Sequence, residues 1–95
     1  MKTFNIGDAV LFVNGWGLCY DNTKTFRWGE LRAGFITCIE HVEARDSYLY
    51  TVSTIDEYDP LKVRTKLLGP HLIFKLSEKE LAKTTLQQYC QEVIL

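Results

Sequence analysis

The sequence predicts a mainly β fold with a C-terminal helix, a small antiparallel barrel or sandwich of five or more short strands. Three observations predict it. Leu31–Ile55 holds two runs of aromatic and β-branched residues, around Phe35–Ile39 and Tyr48–Ile55, joined by the polar connection HVEARD. Such residues fit a pleated, half-buried surface. Further short apolar runs lie on either side, divided by turn signals about every 8–12 residues. After Ser77 the apolar period changes from two to about 3.6, the period of a helix.

Taken in order, Gly7-Asp8 precedes Ala9–Val13, five apolar residues that suit a buried strand. Asn14-Gly15 follows, a dipeptide that favours a tight hairpin turn. The chain is therefore expected to fold back through Trp16–Tyr20. Asp21–Lys24 is a second turn signal, and Thr25–Trp28 reads as a short return strand. Asn14–Glu30 thus reads as a long, irregular, aromatic-rich excursion between two strands. Compact domains seldom hold such loops unless they are functional.

The central hairpin comes next, followed by the acidic turn Asp56–Pro60. Pro60 lacks a donor and ends pairing. Lys62–Leu68 alternates Val63, Thr65 and Leu67 with Lys62, Arg64 and Lys66, which predicts a strand. Gly69-Pro70 turns the chain. His71–Leu76 is a further strand, with Leu72, Phe74 and Leu76 on one face. Ser77 followed by Glu80 is a capping-box pattern. Ala82, Leu86, Tyr89 and Val93 form a stripe at helical spacing, so a helix is expected at about Glu78–Ile94. It should pack on the sheet, because isolated helices of this length are marginal in water.

Ninety-five residues make one domain, 1–95, and 46% apolar residues suit a globular chain. Eleven basic residues against twelve acidic ones give a net charge of −1. That balance argues against sequence-independent nucleic-acid binding and against adhesion to anionic membranes. No apolar run reaches the roughly 20 residues of a membrane span. The N-terminus lacks the pattern of a signal peptide. Cys19, Cys38 and Cys90 are odd in number and have no paired spacing, so a reduced, cytoplasmic setting is expected. Cys38 and Cys90 read as buried apolar thiols.

Ile6–Val10, Arg32–Ile36 and Tyr50–Val52 resemble the opening of SH3-like small barrels, especially Tudor and KOW domains. There, a glycine-aspartate opens the first strand, a glycine precedes a bent second strand, and a long loop joins the two. The resemblance covers about Phe4–Phe74 and implies a barrel of that kind. The acidic-tyrosine signature of proline-rich-peptide-binding SH3 domains is absent, as is the basic surplus of ribosomal KOW domains.

Trp16, Tyr20, Trp28, Tyr48, Tyr50 and Tyr58, with Asp21, Glu57 and Asp59, could build an aromatic pocket with an acidic rim. The Tudor-like resemblance implies capture of a methylated cation by such a pocket. The same rings could stack a nucleobase, and they could equally be core. Cys38 and His41 have metal-ligand spacing without a second pair, so no metal is expected. No nucleophile stands in a recognisable catalytic setting, and neither a cofactor nor catalysis is expected. Lys62, Arg64 and Lys66 read first as a solvated, charge-protected edge. The other reading is a phosphate or acidic-partner contact, helped by Arg27 and Arg32.

Two functions follow as expectations. The first is a non-enzymatic binding module that docks a protein or peptide partner through the aromatic loop. Its site residues are Trp16, Tyr20, Asp21, Phe26, Arg27, Trp28, Arg32 and Tyr58. The second is an oligomeric protein that sequesters a nucleotide-like small molecule. A small domain without catalytic groups suits a phage-encoded inhibitor of either kind. Apolar side chains on both strand faces, with one helix to cover them, also predict self-association.

Overall fold

The longest strand sets the shape of the molecule. It runs Thr25–Val42, 18 residues. Straight, it would span about 59 Å at a rise of about 3.3 Å per residue, whereas the longest dimension of the molecule is 42 Å. The strand must therefore bend, and so must whatever pairs with it.

The computed structural model describes residues 4–20, 25–56, 58–91 and 93–94; at 16–20, 25–28, 91, 93 and 94 the description is of the backbone. The elements are β1 (Ala9–Tyr20), β2 (Thr25–Val42), β3 (Ser47–Ile55), β4 (Val63–Leu68), β5 (Ile73–Lys75), α1 (Lys79–Gln91) and β6 (Val93–Ile94). Five strands form one antiparallel sheet in the order β4-β3-β2-β1-β5, with β6 paired to the start of β2. Gly7 opens β1 at φ +93°, a conformation that favours glycine. Its N–H donates to the Ile36 carbonyl at 2.7 Å.

The mainly β class with a C-terminal helix is as expected, but the barrel is not closed. β4 and β5 lie at opposite edges and do not pair. Between them stand Gly69 and a 3-10 turn at Pro70–Leu72. So short a connection, with a proline that lacks an N–H, turns a corner and does not make a hairpin. The strand expected over His71–Leu76 accordingly shrinks to three residues, and Leu76 is exposed.

Each face of the sheet carries its own core. On the inner face Val10, Phe12, Ile36, Tyr50, Val52 and Ile73 are buried, joined by Phe4 and Leu68. Phe4 meets Tyr50 edge to face, with ring centres 5.5 Å apart. On the outer face Val13, Phe74 and Ala82 are buried, with Leu31, Leu86 and Tyr89 packed against them. The helix covers this second core, as its apolar stripe predicts.

The expected turn at Asn14-Gly15 and the irregular excursion over Asn14–Glu30 are overturned. β1 runs through both residues, pairing Asn14 with Glu30 and Gly15 with Gly29, and the ladder continues to Tyr20 opposite Thr25. Gly15 instead lies beneath α1, where a Cβ would meet the Tyr89 hydroxyl and the ring would have to shift. Trp16 falls at a register shift between Gly15 and Gly17. The second turn signal, Asp21–Lys24, lies outside the described residues.

A bulge between Ile36 and Cys38 bends β2. It also shifts the alternation by one residue. Ile36 and Ile39 therefore both meet the inner core, and Cys38 is exposed, not a buried thiol. The helix is shorter than expected, ending at Gln91, after which the β-branched Val93 and Ile94 join the sheet. The capping pattern sits two residues earlier than Ser77 and Glu80. The Lys75 N–H donates to Glu78 Oε1 at 3.1 Å, and a 3-10 turn, Leu76–Glu78, leads into α1.

Candidate functional site

The alternation of β4 decides what the curled sheet encloses. Val63, Thr65 and Leu67 are exposed on the outer face. Arg64, Lys66 and Leu68 turn to the inner face, where Leu68 joins the core. Lys66 Nζ donates to Asn14 Oδ1 at 2.9 Å and to the Gly15 carbonyl at 2.6 Å. Both acceptors belong to β1. In a flat sheet β4 and β1 would stand about 14 Å apart, three strand spacings, beyond the reach of a lysine. The sheet therefore curls until Lys66 spans its inner face.

Under that span lies a cavity of about 520 Å³. Ligand sites commonly measure about 300–1,000 Å³. Phe12 forms part of its wall, with Ile55 and Tyr58 as further apolar surface. Arg32, Arg64 and Lys66 line it together with Asp56, and Glu30 stands beside it, paired with Arg32.

The two arginines are engaged with carboxylates. Arg32 Nε donates to Glu30 Oε1 at 2.6 Å, and Arg64 Nε donates to Asp56 Oδ2. Lys66 differs: among the described residues its hydrogen-bond partners are neutral oxygens and no carboxylate forms an ion pair with it. Burial lowers its pKa from the usual lysine value, because desolvation penalises the ammonium. Among the described residues, the cavity thus holds a partly desolvated cation with no carboxylate paired to it.

Asp56 organises the rim. Its Oδ1 accepts the N–H groups of Tyr58 at 2.8 Å and Asp59 at 2.9 Å, closing the acidic turn. The hydrogen bond from Arg64 and these backbone donors hold its carboxyl pKa at about 2, below the ordinary 3.8. The folded-state value lies below the unfolded one, so the stabilisation is complete above pH near 3.8 and is lost as pH falls toward about 2. Asp56→Asn is expected to lower the melting temperature at neutral pH and to flatten its acid dependence in that window. Parallel melting curves of the two proteins from neutral pH down through this window would contradict the assignment.

Of the residues singled out from sequence, the structure brings Arg32 and Tyr58 to this cavity. Tyr58 is 84% exposed. The side chains of Trp16, Tyr20, Phe26, Arg27 and Trp28 lie outside the described residues, although their backbones belong to β1 and β2. Asp21 and Glu57 lie outside entirely. The remaining tyrosines do not form one aromatic pocket. Tyr50 is fully buried in the inner core, and Tyr48 packs beside His41, with ring centres 4.9 Å apart.

Sequence reasoning missed Phe12, Asn14 and Asp56 as site residues. It read Arg64 and Lys66 first as a solvated edge, whereas Lys66 is half-buried against β1. The signal was present in the strict alternation of β4. What was missing was which face the sheet curls around. Comparison with protein-family models, curated proteins and solved structures gives no match for this chain.

Proposed function

We propose that the protein is a non-enzymatic, cytoplasmic binding protein that holds a nucleotide-like small anion in the cavity beneath Lys66. The observation that carries this reading is the half-buried Lys66 ammonium, whose hydrogen-bond partners among the described residues are neutral oxygens, with Arg32 and Arg64 lining the same cavity. An anionic group at this point would supply the missing counter-charge and take charge-assisted hydrogen bonds. The exposed ring of Tyr58 offers apolar surface to a planar group on the same ligand. The lining supports binding without catalysis. The Thr54 hydroxyl donates to the Ala33 carbonyl, Asp56 is tied to Arg64, and neither His41 nor His71 reaches the cavity.

Calorimetric titration with nucleoside monophosphates and with the matching phosphate-free nucleosides tests the reading. The phosphorylated compounds should bind. Hydrogen bonds to charged groups contribute about 1.5–3 kcal/mol each, so the nucleosides should bind about 10–100-fold more weakly. Lys66→Met should lose the phosphate preference while still unfolding cooperatively. Equal affinity for both compound sets, or no heat from either, would overturn the proposal.

A further inference from the structure

The edge strand β4 presents two differently equipped sides beside one free backbone edge. It pairs with β3 alone, from Ile55 opposite Val63 to Tyr50 opposite Leu68. Its other edge has no strand partner among the described residues. Unpaired edge groups are a template for another strand. On the outer side Val63 is 65% exposed and Leu67 55%. The apolar surface continues inward across Ile55 and Phe35, and a cavity of about 460 Å³ opens there between Phe35, Ile55, Val63 and Leu76. The helix does not cover this half of the outer face. On the inner side the same strand carries Arg64 and Lys66. The Arg64 side chain is 73% exposed. A guanidinium has five N–H donors, and only Nε is engaged among the described residues.

We propose that the free edge of β4 captures an extended segment of a different protein, one in which apolar residues alternate with acidic ones, as an added antiparallel strand. The alternation follows from the pleat. Residues directly opposite in an antiparallel ladder share a face. Partner residues opposite Val63 and Leu67 therefore meet the apolar outer patch, and those on the other face meet the exposed Arg64 guanidinium, with the Lys66 ammonium further in, on β1. Backbone hydrogen bonds supply the attachment, and the alternating side chains supply the selection.

A second copy of this chain is the competing occupant, and the register opposes it. Antiparallel self-pairing centred on Thr65 sets Arg64 opposite Lys66 of the other copy. Centred on Lys66 it sets two lysines face to face, and centred on Arg64 two arginines. Like charges directly opposite destabilise a ladder. The cations thus discourage self-assembly at this edge and select an acidic strand from elsewhere. Arg64 and Lys66 also line the cavity, whereas the backbone edge and the apolar outer face lie apart from it.

The test uses the intact protein and short synthetic peptides that alternate valine with glutamate. Binding is read by fluorescence anisotropy, and location by hydrogen exchange of individual amides. The glutamate peptide should bind and slow exchange at residues 63–68. A valine-lysine peptide should bind at least about ten-fold more weakly. A glutamate peptide N-methylated at alternate residues, on the edge facing β4, should not bind. Equal binding of the glutamate and lysine peptides would overturn the proposal, as would undiminished binding after N-methylation. Protection elsewhere in the chain with none at β4 would also overturn it. So would a dimer in light scattering whose β4 amides become protected as protein concentration rises, since the occupant would then be a second copy.

Discussion

Gly34→Val is expected to leave the chain without a cooperative thermal transition. Gly34 sits opposite Val10, where β2 passes between β1 and β3. A Cβ at this position would stand 2.6 Å from the Ser53 carbonyl oxygen, 2.8 Å from Val52 Cγ1 and 3.2 Å from Phe12 Cε1. The nearest of these is backbone of the adjoining strand, so it cannot rotate away. Relief requires β3 to separate from β2, which breaks the central ladder. Alanine adds one carbon and should cost at least about 1–3 kcal/mol, the usual range for overpacking. Valine adds two further methyl groups between Val52 and Phe12. Far-ultraviolet circular dichroism on heating checks both variants. A valine variant that melts at the wild-type temperature would show that the strands separate here at little cost.

Tyr50→Ala should be the most costly truncation in the inner core. Tyr50 is fully buried and stands opposite both Ile39 and Leu68, while Phe4 meets its ring edge to face. Removing a buried aromatic side chain typically costs about 3–5 kcal/mol. Domains of this size often have about 5–15 kcal/mol in total. Chemical denaturation should show a much lower midpoint. Unchanged cooperativity and midpoint would mean that the inner core repacks around the cavity left by Tyr50. The same variant should also loosen the cavity, because Tyr50 supports the β3–β4 pairing that aims Lys66 across the sheet.

The contrast between these positions shows what the sequence made legible. The central hairpin announced itself because Phe35–Ile39 and Tyr48–Ile55 carry β-propensity on both sides of a polar turn. The helix did so through Ala82, Leu86 and Tyr89, whose spacing matches one face. Asn14-Gly15 misled, because the two readings of that glycine are indistinguishable locally. A turn needs its torsional freedom, whereas here the ring of Tyr89, 74 residues later in sequence, packs where its Cβ would stand. The cavity was hidden for a related reason. Lys66 and Asn14 are separated by 52 residues and meet only because bulges curl the sheet. Alternation located the cations on one side of β4 and could not say whether that side faced solvent or β1. The bulge at Ile36/Cys38 was equally invisible, so Cys38 was assigned to the interior.

The two cores lie on opposite faces of the same strands, and this has a consequence for how the molecule comes apart. Val10 and Phe12 serve the inner core, and Leu11 and Val13, their immediate neighbours, serve the outer one. Arg32 and Leu31 divide in the same way on β2, facing the cavity and the helix. Neither side can melt while its neighbour persists, because each is the reverse of one shared ribbon. The slowest-exchanging amides of β1 and β2 should therefore open together in a single global event. The edge strands β4 and β5, each held along one side, are where smaller openings should begin.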